Sequence, residues 1–397
     1  MVTSDAPDPR RWTILAVGLA GLIAGCAAQY GLAYLIPALR AEGLTLESAT
    51  VLATAPIVGI LCTLIVWGAA ADRWGERVVL TIGLAGAGVA ELAAAVVDDA
   101  LGRWLLLFAV GASSSAIHAA SGRLILGWFG ARERGLAMGI RQTGQPLGVG
   151  IAAIVLPPLA VGGIGPALGV LGIGCLVAAV VIGLVVRDPD RPKRTAGAPP
   201  THSPYREPFL WRLHGASALL VVPQFAVAVF AFDYLVSGLG WSITAAGILL
   251  AVTQLGGAGS RLLAGWWSDR AGSRLGPMRI VALVIGAAMV VLTLLAIVGL
   301  GAAVVALAFA AAVTAMPNGL AFTAVAERAG SRWAGRALGV QNTFQNLVGV
   351  IAAPPLAFLI SAAGGGAMGY GLAFAAVTAL PFGAAVLIPT RGEAPLS

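Results

Sequence analysis

Apolar runs long enough to cross a lipid bilayer recur twelve times along this chain and leave little room for anything else. A hydrocarbon core takes roughly 20 residues of helix at about 1.5 Å per residue. Such runs fill 12–39, 49–70, 78–97, 104–129, 135–160 and 166–186, and then 213–238, 243–267, 278–298, 302–325, 336–361 and 367–388. Inside hydrocarbon every backbone amide and carbonyl must bond within the protein, which favours helices for spans of this length. The expected fold class is therefore an all-α integral membrane protein with twelve transmembrane helices. Composition agrees, with 59% apolar residues, 10% charged residues and a mean hydropathy of +0.92. Soluble domains carry about 25% charged residues, so soluble enzymes, nucleic-acid binders and disordered chains are poor candidates.

The net charge of +7 is spread between the apolar runs and forms no basic face for a nucleic acid. Placing both termini in the cytoplasm puts 19 of the 24 Lys and Arg residues on that side, leaving two, Arg40 and Arg103, opposite. Orientation follows the cytoplasmic excess of Lys and Arg, so a multi-pass protein of the inner membrane with both termini in the cytoplasm is expected. Arg10 and Arg11 resemble the basic start of a signal peptide, but the apolar run continues to Leu39 without a small-residue cleavage site. An uncleaved first span is expected. From Arg187 to Arg212 there are six basic residues, with five prolines between Pro189 and Pro204, the composition of a solvated linker. The expected organisation is a six-helix bundle over 1–186, a cytoplasmic linker over 187–212 and a second six-helix bundle over 213–397. Cys26, Cys62 and Cys175 lie in apolar runs without metal-ligand or disulfide spacing, so they read as packing residues, and no metal or cofactor is expected.

The two halves repeat each other. Gly68, Asp72, Arg73, Gly75 and Arg77 recur at an offset of 197 as Gly265, Asp269, Arg270, Gly272 and Arg274. Gly135, Gly139, Thr143, Gln145 and Ile151 recur 200 positions later as Gly335, Gly339, Thr343, Gln345 and Ile351. Duplicated six-helix halves with a substrate site near the bilayer midplane are the architecture of many secondary transporters.

The stretch from Gly68 to Arg77 resembles the signature of the major facilitator superfamily, G-x-L-x-D-R-x-G-R-[RK], between its second and third helices. Ala70 stands for the usual Leu and Glu76 for the first basic residue. The resemblance covers essentially the whole chain and implies a transporter working by alternating access. It also implies that the two loops latch conformations, so Gly68, Asp72, Arg73, Gly75, Arg77, Gly265, Asp269, Arg270, Gly272 and Arg274 are expected as gating residues. A tight solvated turn is the plainer alternative.

One fold hosts many cargoes, so the cargo must be read from polar groups inside the spans, where ionisable side chains are expensive. Arg261 in the eighth span, with Gln254 seven residues earlier, presents a guanidinium suited to a carboxylate. With Gly265 one turn on, it resembles the helix 8 arginine of monocarboxylate transporters and oxalate/formate exchangers. Gly257 stands where monocarboxylate transporters carry an acidic residue, and the eleventh span has no lysine. Arg141 and Gln145 form a similar stripe in the fifth span, in a segment resembling the glycine- and proline-rich helix 5 of proton-driven antiporters. In the fold implied by the resemblance, helices 5 and 8 face each other, so both arginines could flank one cavity. Snorkelling to the interface is the alternative for each.

Ser114, His118 and Ser121 line one stripe of the fourth span, and Thr314 and Asn318 occupy the matching positions in the tenth. His118 is open to proton transfer or to simple hydrogen-bonded packing. Arg123 falls on the opposite side of its helix and reads as an interfacial anchor. Asp233 and Glu91 are the carboxylates well inside spans and are candidates, with His118, for proton coupling. Gln29, Tyr30 and Tyr34 in the first span, and Gln341 and Gln345 in the eleventh, can bind cargo or bond neighbouring helices. With no nucleophile–base pair or metal cluster, an enzyme is not expected. The leading expectation is a monomeric secondary transporter, symporter or antiporter, of a small organic anion. The runner-up is proton-driven efflux of lipophilic compounds, and a non-transporting receptor or scaffold is the alternative of another class.

Overall fold

The computed structural model of the protein describes residues 10–44, 46–189, 203–330 and 332–393, so the expected linker lies largely outside the described residues. The membrane helices of the first half are α1 (Arg10–Ala41), α2 (Leu46–Trp74), α3 (Glu76–Val96), α4 (Ala100–Trp128), α5 (segments Arg134–Gln142 and Gly144–Leu159) and α6 (Gly165–Val185). Those of the second are α7 (Pro208–Gly238), α8 (Ile243–Ala271), α9 (Leu275–Val298), α10 (Ala303–Ala329), α11 (Ala334–Ala362) and α12 (Gly366–Leu387). Among the described residues eleven of these are long and apolar enough to cross a membrane, and the twelfth, α5, is divided at Thr143.

The divisions have local causes. Pro146 offers no amide hydrogen to the carbonyl four residues back and crowds it, and that carbonyl belongs to Gln142, the last residue before the break. Pro381 does the same to Val377, where the first segment of α12 ends. The 3-10 stretch Gly31–Leu35 of α1 lies just ahead of Pro37. Helix α4 has no proline but breaks at Ser115, where serine hydroxyls compete for helical carbonyls. Ser114 Oγ donates to Val110 (2.6 Å) and Ser115 Oγ to Ala112 (3.0 Å).

The chain divides into two compact units. One comprises residues 1–130, 143–201 and 329–343, the other 131–142, 202–328 and 344–397. Each unit thus takes one helical segment from the opposite half of the sequence. The first unit is built on two apolar clusters, one around Leu22, Leu84, Ile117 and Ile182, the other around Leu35, Leu52, Leu156 and Leu168. In the second, Gly286 of α9 leaves space for the Phe382 ring of α12, and Tyr234 meets Phe374 edge-on at 5.8 Å between ring centres. Val89, Leu184 and Val305 remain exposed, as faces that meet lipid do. Cys26 and Cys175 are buried as expected of packing residues, whereas Cys62 is exposed.

The repeated glycines mark where backbones touch. In the first unit a Cβ on Gly68 would collide with the Gly335 carbonyl, and one on Gly335 with the Gly68 carbonyl. In the second unit Gly265 and Gly135 stand in the same reciprocal relation. Backbone cannot rotate away as a side chain can, so Gly68→Val should cost about 1–3 kcal/mol of stability and lower the melting temperature of the detergent-solubilised protein. Gly150→Val, at a position with open space around it, should leave that temperature nearly unchanged.

Candidate functional site: a repeated charge latch and a buried arginine

Each unit seats a carboxylate on a helix N-terminus. Asp72, at the end of α2, accepts hydrogen bonds from the amides of Gly335 (3.0 Å) and Arg336 (3.1 Å) in the first turn of α11. Asp269, at the end of α8, accepts from Gly135 (2.9 Å) and Leu136 (2.8 Å) in the first turn of α5. The first amides of a helix lack internal acceptors and carry the positive end of its dipole, so a carboxylate there satisfies both. The glycine contacts bring the helices close enough for these bonds.

The cations differ between units. In the first, Arg123 pairs with Asp72 and with Glu76 (2.8 Å), all three side chains being at most 4% exposed. Arg123 is therefore an internal counter-ion, and the expectation of an interfacial anchor is corrected. In the second unit the position equivalent to Arg123 is Thr323. Arg274, 1% exposed, takes over by pairing with Asp269, Ser268 Oγ (2.6 Å) and Glu327 (3.3 Å). Arg73, Arg77 and Arg270 are exposed, Arg270 lying 4.1 Å over the Trp266 ring. Gly75 and Gly272 adopt φ of +96° and +63°, which glycine tolerates without a Cβ penalty. Two further carboxylates cap the helices that follow the loops. Asp188 accepts from the Glu76 and Arg77 amides, both at 2.8 Å, and Glu393 accepts from Ser273 Oγ (2.6 Å) and the Leu275 amide (3.0 Å).

The polar stripe of α4 finds its partner on α1. Gln29, fully buried, donates to Ser114 Oγ (2.8 Å), and His118 Nε2 bonds the Gln29 carbonyl oxygen (2.8 Å). In the second unit Asn318 of α10 donates to Gln224 of α7 (3.2 Å). The pair is thus duplicated, and Gln224 goes unnoticed until α7 is aligned on α1. Tyr30 is half-buried and Tyr34 exposed. The 3-10 stretch between them offsets the rings from a simple helical stack. Gln145 lies beyond the break in α5, exposed, so the helical register linking it to Arg141 is interrupted. Gln254 is exposed on α8, while Gln341 and Gln345 are buried on α11.

Arg261 is 8% exposed, and its Nε has no hydrogen-bond partner; among the described residues no carboxylate pairs with it. Gly139 approaches so closely that a Cβ there would meet the Arg261 carbonyl at 2.7 Å. Arg141, two residues on and 2% exposed, donates to Gln142 Oε1 (2.6 Å) and lies 5.7 Å over the Phe322 ring. Gly319, next to Asn318, also abuts Gly139. The second unit therefore gathers two buried arginines and an amide around one glycine contact.

A sequence profile of the Major Facilitator Superfamily matches residues 17–354. The chain belongs to this superfamily. It is 39% identical over 384 residues to the uncharacterized MFS-type transporter Rv2994 of Mycobacterium tuberculosis, covering 96% of this chain and 85% of the relative. Its fold is similar to the E. coli fucose:proton symporter FucP, with a TM-score of 0.74 at 16% identity over 94% of this chain and 99% of that one. The human organic anion transporter MFSD10 gives 0.73 at 15% identity, over 96% and 100%. This member of the superfamily is thus a multi-pass membrane transporter and not an enzyme.

Carboxylates inside the spans of this superfamily member have contrasting surroundings. Glu91 is fully buried on α3, and neither oxygen has a hydrogen-bond partner among the described residues. Asp233 on α7 is exposed and accepts from Ser237 Oγ (2.6 Å) and the Tyr370 hydroxyl. Removing the shared cation of the latch with Arg123→Ala leaves Asp72 and Glu76 buried together. Breaking a buried pair in this way should cost about 3–5 kcal/mol. Arg336, 38% exposed and 3.7 Å from Asp72, should cost under about 1 kcal/mol when replaced by alanine. Denaturation of purified variants in detergent measures both.

Proposed function

We propose that this transporter carries a small organic anion across the inner membrane by alternating access of its six-helix halves, 1–186 and 213–397, joined by the linker 187–212. Arg261 receives the negative charge of the cargo. The observation that carries this reading is a guanidinium buried in a membrane helix with no carboxylate beside it among the described residues. Isolated charge is costly in low dielectric, and a carboxylate cargo supplies the missing partner through paired, charge-assisted hydrogen bonds. Arg141 adds a second positive group, and Asn318, Gln224 and Gln254 add donors. Gln29, Tyr30, Tyr34, His118, Gln145, Gln341 and Gln345 complete the polar set available to cargo. The fold likeness to an organic anion transporter and to a sugar:proton symporter does not itself choose between cargoes.

Coupling to protons is assigned to Glu91, whose oxygens have no hydrogen-bond partner among the described residues, ahead of Asp233 and His118, whose side chains are already hydrogen-bonded. The gating assignment of Asp72 and Asp269 is supported by their bonds to the first turns of α11 and α5. Both termini are placed in the cytoplasm on the strength of 19 basic residues against two, and the proposed working unit is a monomer.

Uptake of labelled monocarboxylates into proteoliposomes tests the cargo. Wild-type protein should accumulate the anion, and Arg261→Gln should lower kcat/KM about ten- to a hundredfold, the scale of a lost hydrogen bond to a charged group. Failure to accumulate any organic anion, together with expulsion of a lipophilic dye, would replace this reading by proton-driven efflux. With an imposed pH gradient, Glu91→Gln should abolish accumulation above equilibrium while leaving exchange of labelled for unlabelled anion intact. Loss of exchange as well, in a correctly inserted variant, would remove Glu91 from the coupling step.

A further inference from the structure

At the end of the second unit where α7 and α9 begin and α10 and α12 finish, a cavity of about 630 Å³ opens among four arginines. Arg212 and Arg279 are the fifth residues of α7 and α9, at the start of the second turn in each, Arg328 lies in the last turn of α10, and Arg391 just beyond α12. Among the described residues of the lining the one carboxylate is Glu207, which pairs with Arg328 at the surface, where such a pair is weak. Arg212 spends one donor, Nε, on the Leu387 carbonyl at 3.2 Å. Arg279 and Arg391 have no ion-pair or hydrogen-bond partner among the described residues. Four guanidinium groups against one carboxylate leave the cavity strongly positive. Its wall also includes Val386, an apolar residue of the last turn of α12 that is 73% exposed.

We infer that this cavity binds the phosphate-bearing headgroup of an anionic phospholipid from the surrounding leaflet. Guanidinium forks match phosphate oxygens in pairs, and basic pockets between membrane helices recognise acidic headgroups. The position at the ends of four membrane helices puts the arginines at headgroup level. The exposed Val386 beside them meets the start of an acyl chain, a contact that free phosphate cannot use. Such a lipid would tie the segment after α12 to α7, α9 and α10. In that segment Glu393 caps α9, so lipid occupancy would hold the latch of this unit. The site is separate from the cargo arginine, and its test does not require the cargo to be known.

Native mass spectrometry of the full-length protein in detergent, with dioleoylphosphatidylglycerol or dioleoylphosphatidylcholine added, reads the site directly. Wild-type protein should retain the anionic lipid in preference to the zwitterionic one. The double variant Arg279→Gln, Arg391→Gln should lower that retention by about tenfold or more, since each basic residue near an acidic headgroup contributes severalfold to binding. The control Arg73→Gln, Arg77→Gln removes the same charge from exposed positions elsewhere and should retain the lipid. Equal retention by wild type and the Arg279/Arg391 variant, or equal loss in the control, would overturn the inference. Displacement of the bound lipid by millimolar inorganic phosphate would also overturn it, by assigning the cavity to free anions.

Discussion

In hydrocarbon a polar group has no water to turn to, and whatever it needs must come from the protein or from a ligand. This constraint governs the backbone first, which is why the described membrane segments are helices. It governs the helix ends next. The first amides of α11 and α5 would be left without acceptors where their helices meet neighbours, and Asp72 and Asp269 fill that need. The carboxylates in turn require cations, supplied by Arg123 in one unit and Arg274 in the other. Each buried charge in the latch calls for the next, and the closely apposed glycines keep all of them within bonding distance.

The same constraint gives meaning to groups left unsatisfied. Arg123 and Arg261 are both buried arginines in membrane helices, yet one is held by two carboxylates and the other by none among the described residues. A satisfied guanidinium is part of the scaffold; an unsatisfied one is, in the proposed function, the place for a cargo's charge. Glu91 and Asp233 make the corresponding contrast among the acids, one without donors and the other held by a tyrosine and a serine. Function in a membrane carrier is concentrated where the protein leaves its own electrostatics incomplete.

The duplicated halves keep the logic of the latch while exchanging its parts. Aspartate on helix N-terminal amides and glycine against glycine are retained in both units. The cation moves from α4 to the segment before α9, and the second acid moves from Glu76 to Glu327 on α10. The hydrogen-bonded pair of α1 and α4, Gln29 with His118, has its counterpart in Gln224 with Asn318. Replacing histidine by asparagine preserves the bond and removes the titratable ring, so the conserved feature of the pair is its tie between helices.

Hydropathy, the distribution of arginine and the internal repeat were enough to determine an all-helical membrane protein with two related halves, because length and polarity along the chain directly decide what a bilayer accepts. The glycine and aspartate positions of the latch were likewise legible, since the repeat printed them twice. The roles of Arg123, Asp188, Glu327 and Glu393 were not, because their partners lie 47 or more positions away in sequence and only packing brings them together. Nor could spacing alone separate Arg261 from Arg123. Both are arginines in apolar helices, and whether such a group is neutralised depends on what the neighbouring helices present, which is decided by tertiary structure.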